Sequence, residues 1–245
     1  MMIFYIVYVV VLYLYSFSDE YAIAQSKPDS SARNSDFRVD ELIADQYVEE
    51  GKLDEAITLY RKLLLKNPSS GRIHYRLGYA YGLKNLYDEE IAEYKKAIKM
   101  GYKEEEVFYR LGLAYIDSET NYAEAVKAFN KVLQRNPRHA EAYFNLGLSY
   151  LNLGNYSKAK EALLKAIELN PSNLEAYNML GVVYALTGQS DKAQETWMEI
   201  LKRDPSNRPA LLNLETLEKN KLEQKSTTIP QKIIEASKKT PPKEK

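Results

Sequence analysis

Along most of this chain, apolar residues recur three or four positions apart, the spacing of one face of a helix. Between Ala140 and Asn152, such a face holds Tyr143, Leu146, Gly147 and Tyr150. Gly154-Asn155 breaks the pattern, and a second face follows in Ala159, Leu163, Ala166 and Ile167. Asn170-Pro171 ends it, because proline lacks the N–H a helix interior needs and clashes with the preceding turn. The pattern predicts two antiparallel helices joined by a tight turn. Gly147 and Ala159 fall where the two helices approach, and larger side chains there would hold them apart.

The helix pair then repeats. Residues 37–70, 71–104, 105–139, 140–173 and 174–207 align as five units, the third one residue longer than the rest. Pro68, Pro137, Pro171 and Pro205 close four of them. Leu77-Gly78-x-x-Tyr81, Leu111-Gly112-x-x-Tyr115, Leu146-Gly147-x-x-Tyr150 and Leu180-Gly181-x-x-Tyr184 mark the first helices. Ala56, Ala125, Ala159 and Ala193 recur in the second helices, followed by Tyr60, Tyr94, Phe129, Leu163 and Trp197. In this order and register the residues resemble the tetratricopeptide repeat (TPR). The resemblance implies an all-α, right-handed superhelical solenoid of about five helix–turn–helix units, each stacked only on its neighbours.

Some units depart from the pattern. The first has Asp40 and Ala44 where others carry an aromatic residue or His74 and a glycine, as suits an end repeat. The second has Glu90 in place of alanine and Gly101-Tyr102 in place of Asn-Pro, which predicts locally irregular packing. The third has its extra residue in the turn 117–121. Residues 208–224 start like a sixth unit, with Leu211, Leu214 and Leu217 in one stripe, and read as a single capping helix.

The ends differ in character. Met1–Phe17 carries no charge, and Ala22-Ile23-Ala24 fits a signal-peptidase site, so residues 1–24 read as a cleaved signal peptide or, alternatively, an uncleaved N-terminal membrane anchor. As a helix the apolar run is about 25 Å long, against a hydrocarbon core of about 30 Å. Either reading exports the repeats, to the periplasm or beyond, or to the outer face of a membrane. Residues 25–36 read as a polar linker in which Ser35 or Asp36 caps the first helix. Residues 225–245, with six Lys against two Glu and three Pro, read as a disordered tail.

Composition narrows the chemistry. There is no Cys, which removes disulfides, thiolate metal sites and thiol catalysis. Lys+Arg and Asp+Glu are both 34, so no basic surplus points to nucleic acid. His74 sits at a core position and reads as a packed imidazole; His139 falls in an inter-repeat loop and reads as exposed. The residues outside the repeats leave no room for a catalytic domain. The reading is therefore a non-enzymatic protein with no cofactor and no metal.

Function then falls to the concave groove, which the family resemblance lines with the first helices. The implied lining of the first unit is Arg38, Glu41, Asp45 and Glu49. In later units the candidates for peptide binding are Tyr75, Arg76, Tyr79, Tyr109, Arg110, Phe144, Asn145, Leu148, Asn178, Met179 and Val182. Arg and Tyr favour interfaces, and the aliphatic end offers surface for a partner segment or a second copy of the chain. The expected partner is a protein or peptide, with no small-molecule substrate and no nucleic acid. Membrane contact is expected only if residues 1–17 are retained. Glu41 and Asp45, or Tyr75 and Tyr79, stand where chaperone-clamping TPR domains begin their Lys/Asn/Arg set, so that ligand is not expected.

Overall fold

The structure, a computed structural model, describes residues 30–118 and 121–221. The expected signal segment and Lys-rich tail lie outside the described residues. Ten helices alternate in pairs: α1 Ser30–Glu49 and α2 Leu53–Lys66, α3 Gly71–Leu83 and α4 Tyr87–Lys99, α5 Glu105–Asp117 and α6 Tyr122–Arg135, α7 Ala140–Asn152 and α8 Tyr156–Leu169, α9 Leu174–Leu186 and α10 Ser190–Arg203. Residues 208–221 form a further helix, α11. The described residues contain no strand.

The pairing is local. Each helix from α1 to α10 packs on its neighbours in sequence. The first helices of successive units, α3, α5, α7 and α9, also touch one another, whereas the second helices have no contact of comparable extent. The first helices are therefore the crowded inner layer of a curved stack, and their free side lines the concave face.

Within each unit the two helices meet at a glycine. A Cβ built on Gly78 would lie 2.8 Å from the Tyr94 ring, on Gly112 2.6 Å from Phe129, and on Gly147 2.7 Å from Leu163. Gly181 faces Trp197 in the same way, and the Trp197 Nε1–H donates to the carbonyl of Asn178 at 3.3 Å. The rings of Tyr94 and Phe129 are wholly buried. The end repeat has Ala44 at this place, and its partner Tyr60 instead donates its hydroxyl to Asp45 at 2.5 Å.

The unit ends follow from proline. The residue before proline is driven out of the helical region, and Asn67, Asn136, Asn170 and Asp204 all sit at φ between −128° and −141° with ψ between 84° and 89°. The next helix is then capped by a side chain accepting a backbone N–H: Ser70 from Ile73, His139 from Ala142 and Asn173 from Ala176. The second unit solves its ending differently. Gly101 takes a left-handed φ of 89° and turns the chain, so that the N–H of Tyr102 donates to the carbonyl of Ala97 at 3.0 Å.

Three expectations are corrected. α1 starts at Ser30 rather than after residue 36, so residues 30–36 belong to a helix and Ser35 and Asp36 are not its cap. No proline or glycine follows Pro28 to stop the helix from running back from Phe37. In α11 the inward stripe is buried Ala210 and Leu217 with partly buried Leu214, while Leu211 is 47% exposed. Ala210 takes the register position that Ile73, Val107, Ala142 and Ala176 hold in the earlier first helices, all fully buried. His139 is not exposed: its ring stacks on Tyr109 at 4.9 Å and its Nδ1 caps α7.

The glycine contact yields a stability test. Replacing Gly147 with leucine should overpack α7 against Leu163 and cost about 1–3 kcal/mol. Thermal unfolding followed by circular dichroism should show a lowered midpoint with native helicity retained at low temperature. An unshifted midpoint would mean that the helices do not meet at this residue.

Candidate functional site

On the inner face, one residue of each first helix reaches the next repeat. Glu41 Oε1 pairs with Arg76 Nε at 3.3 Å. The Arg110 Nε–H donates to the Tyr75 hydroxyl at 3.3 Å, thirty-five residues away. The Asn145 amide donates to the Tyr109 hydroxyl at 3.3 Å, here thirty-six residues away because the third unit is longer. Phe144 and Met179 hold the equivalent places, and both pack on the apolar cluster of Leu163, Leu180 and Val183. The Asn213 amide closes the series by donating to Asn178 Oδ1 at 2.9 Å. A single ladder thus runs through the groove, with a direct polar contact at four of its five junctions.

Beside the ladder the N-terminal half opens into two hollows that share Tyr79 and Leu83. The larger, about 620 Å³, lies between the first and second units and is lined by Asp45, Glu49, Arg72, Tyr75, Arg76 and Tyr102 among others. Its arginines are paired. Arg72 Nη2 meets Glu41 Oε2 at 2.6 Å, and Arg76 binds both Glu41 and Asp45. Its floor is aromatic, with Tyr75 stacked on Tyr102 at 5.1 Å between centroids and tilted against Tyr94 at 5.8 Å. Burial raises the pKa of the Tyr60, Tyr75, Tyr94 and Tyr102 hydroxyls, which keeps them neutral donors.

The smaller hollow, about 190 Å³, lies between the second and third units. Here Arg110 sits over the Tyr79 ring at 4.4 Å and pairs with Glu106 at 2.7 Å. Glu90 also lines this hollow, although it is only 8% exposed. Its carboxyl fits because Gly82 stands opposite: a Cβ there would lie 2.5 Å from Glu90 Oε1. Burial is the main cause that pushes the Glu90 carboxyl up to about 7. Asp117 adds to the rise, while the Tyr94 hydroxyl and Arg110 oppose it.

Comparisons with known proteins bear on the same repeats. Models of the tetratricopeptide repeat match residues 140–173 and 162–195. The model of the tetratricopeptide repeat protein 21 C-terminal ARM domain matches residues 35–142. This chain is a tetratricopeptide repeat protein. Among solved structures, MamA superposes with a TM-score of 0.66 at 28% identity, over 69% of this chain and 92% of that one. YrrB, described as a TPR protein with an unusual peptide-binding site, has a TM-score of 0.68 at 24% identity, over 72% of this chain and 90% of its own. A tetratricopeptide repeat protein from Parabacteroides merdae has a TM-score of 0.68 at 19% identity, over 84% of this chain and 80% of its own. The last two likenesses, at these identities, speak to the fold alone. No curated protein matches the sequence.

Within this TPR stack the sequence-derived candidates divide. Tyr75, Arg76, Tyr79 and Arg110 surround the two hollows. Tyr109 turns instead to the Phe129 ring, 6.0 Å away, and to His139. Asn145 and Asn178 are buried in the ladder, and Phe144, Met179 and Val182 pack against neighbouring apolar clusters. Leu148 is half-buried on α7. Residues not foreseen as site-lining include Leu83, Glu90, Tyr102 and Asp117. The two signals that could have found Glu90 and Tyr102 are the broken repeat positions themselves. His74, read as a packed imidazole, is buried and also meets Glu93 Oε2 at 2.5 Å through Nδ1.

The buried acid makes stability pH-dependent. A folded pKa of about 7 against an ordinary 4.5 means that between these values the folded protein holds a proton the unfolded chain has lost. The Glu90 contribution is therefore intact below pH 4.5 and lost as pH rises through 7, by up to about 3 kcal/mol. Chemical denaturation from pH 4.5 to 8 should show a smaller fall in stability for Glu90→Gln than for the unmodified chain. Parallel profiles would show that Glu90 titrates as it does in water.

Proposed function

We propose that this TPR protein is a non-enzymatic scaffold that binds an extended protein or peptide segment through the concave face of its N-terminal three repeats. The observation that carries this reading is the pair of adjoining hollows sharing half-buried Tyr79 and exposed Leu83, on the surface beside the ladder. Together they give an aromatic, partly charged channel with neutral tyrosine donors, chemistry suited to a main chain and its side groups. The arginines are tied to carboxylates already, so recognition here works through rings and hydroxyls rather than through free cations.

Immobilised full chain should enrich discrete sequences from a random peptide display library. The double substitution Tyr79→Ala, Leu83→Ser should weaken the enriched peptides at least tenfold while leaving the melting midpoint near that of the unmodified protein. If nothing is enriched, or if enriched peptides bind the variant equally well, the groove of the first three repeats is not the binding surface.

The scaffold acts, in this reading, outside the cytoplasm. Support comes from the uncharged Met1–Phe17 run and the Ala22-Ile23-Ala24 motif. Among the described residues no helix is long and apolar enough to cross a membrane. The second reading, an anchored subunit of an envelope complex, rests on the same run being retained. Intact mass and N-terminal sequencing of protein from its native cells decide between them. A start at Gln25 is expected; a start at Met1 in the membrane fraction favours the anchored form, and a start at Met1 in the cytoplasm overturns both.

A further inference from the structure

The second repeat carries an exchange of size between its helices. At the twelfth position of the five units stand Val48, Gly82, Ile116, Leu151 and Ala185; at the matching place in the second helices stand Ala56, Glu90, Ala125, Ala159 and Ala193. In four repeats the side chain on the first helix has an alanine opposite. In the second repeat the first helix has no side chain and the second has a long one. Gly82 leaves the room, and the Glu90 carboxyl passes through it to the wall of the smaller hollow. A core position has been opened to deliver a carboxylate to the groove.

The surroundings of that carboxylate lack a cation for it. Among the described residues Glu90 forms no ion pair, and neither does Asp117, which lines the same hollow. Asp117 ends α5 and Leu83 ends α3, so the negative ends of two helices point the same way. Arg110 from α5 is the cation of the lining, and Glu106 at 2.7 Å neutralises it while Tyr79 covers its face. Lys84, beside the hollow, is bound to Asp54. Tyr79 from α3, with Tyr87 and Tyr94 from α4 itself, completes the titratable groups facing Glu90 and brings no positive charge. Carboxyls thus outnumber cations in the lining, and the Tyr94 hydroxyl is the neutral group that meets Glu90.

We propose that this hollow receives the ammonium group of a lysine side chain carried by the extended segment in the groove. The proposal rests on the reading of the groove as a segment-binding surface and deepens it: lysine's methylenes lie along Tyr79 and Leu83, and its ammonium meets Glu90 and Asp117. A carboxylate or phosphate there would face two carboxyls and two helix C-termini. Binding draws the proton from Glu90, so the interaction strengthens as pH rises through neutrality.

The test uses the full chain with 13C-labelled glutamate carboxyls, the Glu90 resonance being identified by its loss in Glu90→Gln. Nα-acetyl-lysine methylamide, Nα-acetyl-norleucine methylamide and cadaverine serve as probes at matched ionic strength. The lysine probe is expected to move the Glu90 resonance and lower its titration midpoint, and the norleucine probe to do neither. Gly82→Ile with Glu90→Ala, which recreates the Ile116 and Ala125 arrangement, should fold, melt no lower than the unmodified chain and be blind to the lysine probe by calorimetry. An equal response to lysine and norleucine overturns the proposal, as does heat of lysine binding that survives in the double variant. A response to cadaverine alone replaces the lysine with a free diamine and also overturns it. Display peptides that lose binding on Tyr79→Ala, Leu83→Ser yet need no lysine would sustain the groove and remove only this pocket.

Discussion

Everything in this stack depends on how closely two helices approach inside each unit. The contact of Gly78 with Tyr94, and its counterparts at Gly112, Gly147 and Gly181, leaves no space for even a methyl group. A bulky side chain from the second helix enters the backbone of the first, and the large apolar burial of that side chain sets the depth of the unit. Because the notch recurs at the same place, each unit presents the same outer surfaces to its neighbours. Stacking then follows by repetition, and curvature follows because the first helices approach one another more closely than the second helices do.

The ladder on the inner face is the second constraint, and it changes what a groove residue is for. Facing the concave side does not leave a side chain free. Glu41, Tyr75, Tyr109 and Asn178 each serve the junction to the next repeat, through Arg76, Arg110, Asn145 and Asn213 in turn, and Phe144 and Met179 pack on one shared apolar cluster at the junction between the fourth and fifth units. The chemistry of the junction varies from ion pair to amide pair, but its position does not. Such contacts are individually modest. Their value is register: each fixes the angle at which one unit meets the next. The surface left for a partner lies beside the ladder, where Tyr79, Leu83 and Tyr102 stand.

The period, the helix pairs and the glycine contact were legible in the sequence because each repeats, and repetition turns a weak local signal into a strong one. What was not legible depends on pairs. Asn145 and Asn178 looked like ligands for a partner because a position on a helix gives a direction but not an occupant. Their partners Tyr109 and Asn213 stand about one period away in the chain, and only the stacked structure brings them together. Glu90 announced itself as an anomaly, yet its meaning needed Gly82 on the facing helix. His139 looked exposed because it lies in a loop, and it is covered because Tyr109 offers a ring at the junction. The start at Ser30 was hidden for a simpler reason: a polar sequence with no helix breaker fits a linker and a helix end equally well.

The irregular second repeat then becomes the centre of the functional argument. A solenoid built from near-identical units offers near-identical surfaces, so a unique binding position requires a unit that breaks the rule and still packs. Two compensations let this one do so. Gly101 at a left-handed φ replaces the missing proline turn and places Tyr102 against Tyr75, and Gly82 yields the volume that Glu90 needs. Both exchanges push a side chain toward the concave face, one into each hollow. The repeats farther along lack these exchanges, with Asn-Pro at the ends of the fourth and Asp-Pro at the fifth, and alanine at the facing position in both. There Phe144, Met179 and Val182 are drawn into packing. The asymmetry between the two halves of the groove thus follows from where the repeat was broken, and the departures from the family pattern locate the recognition surface better than the residues that obey it.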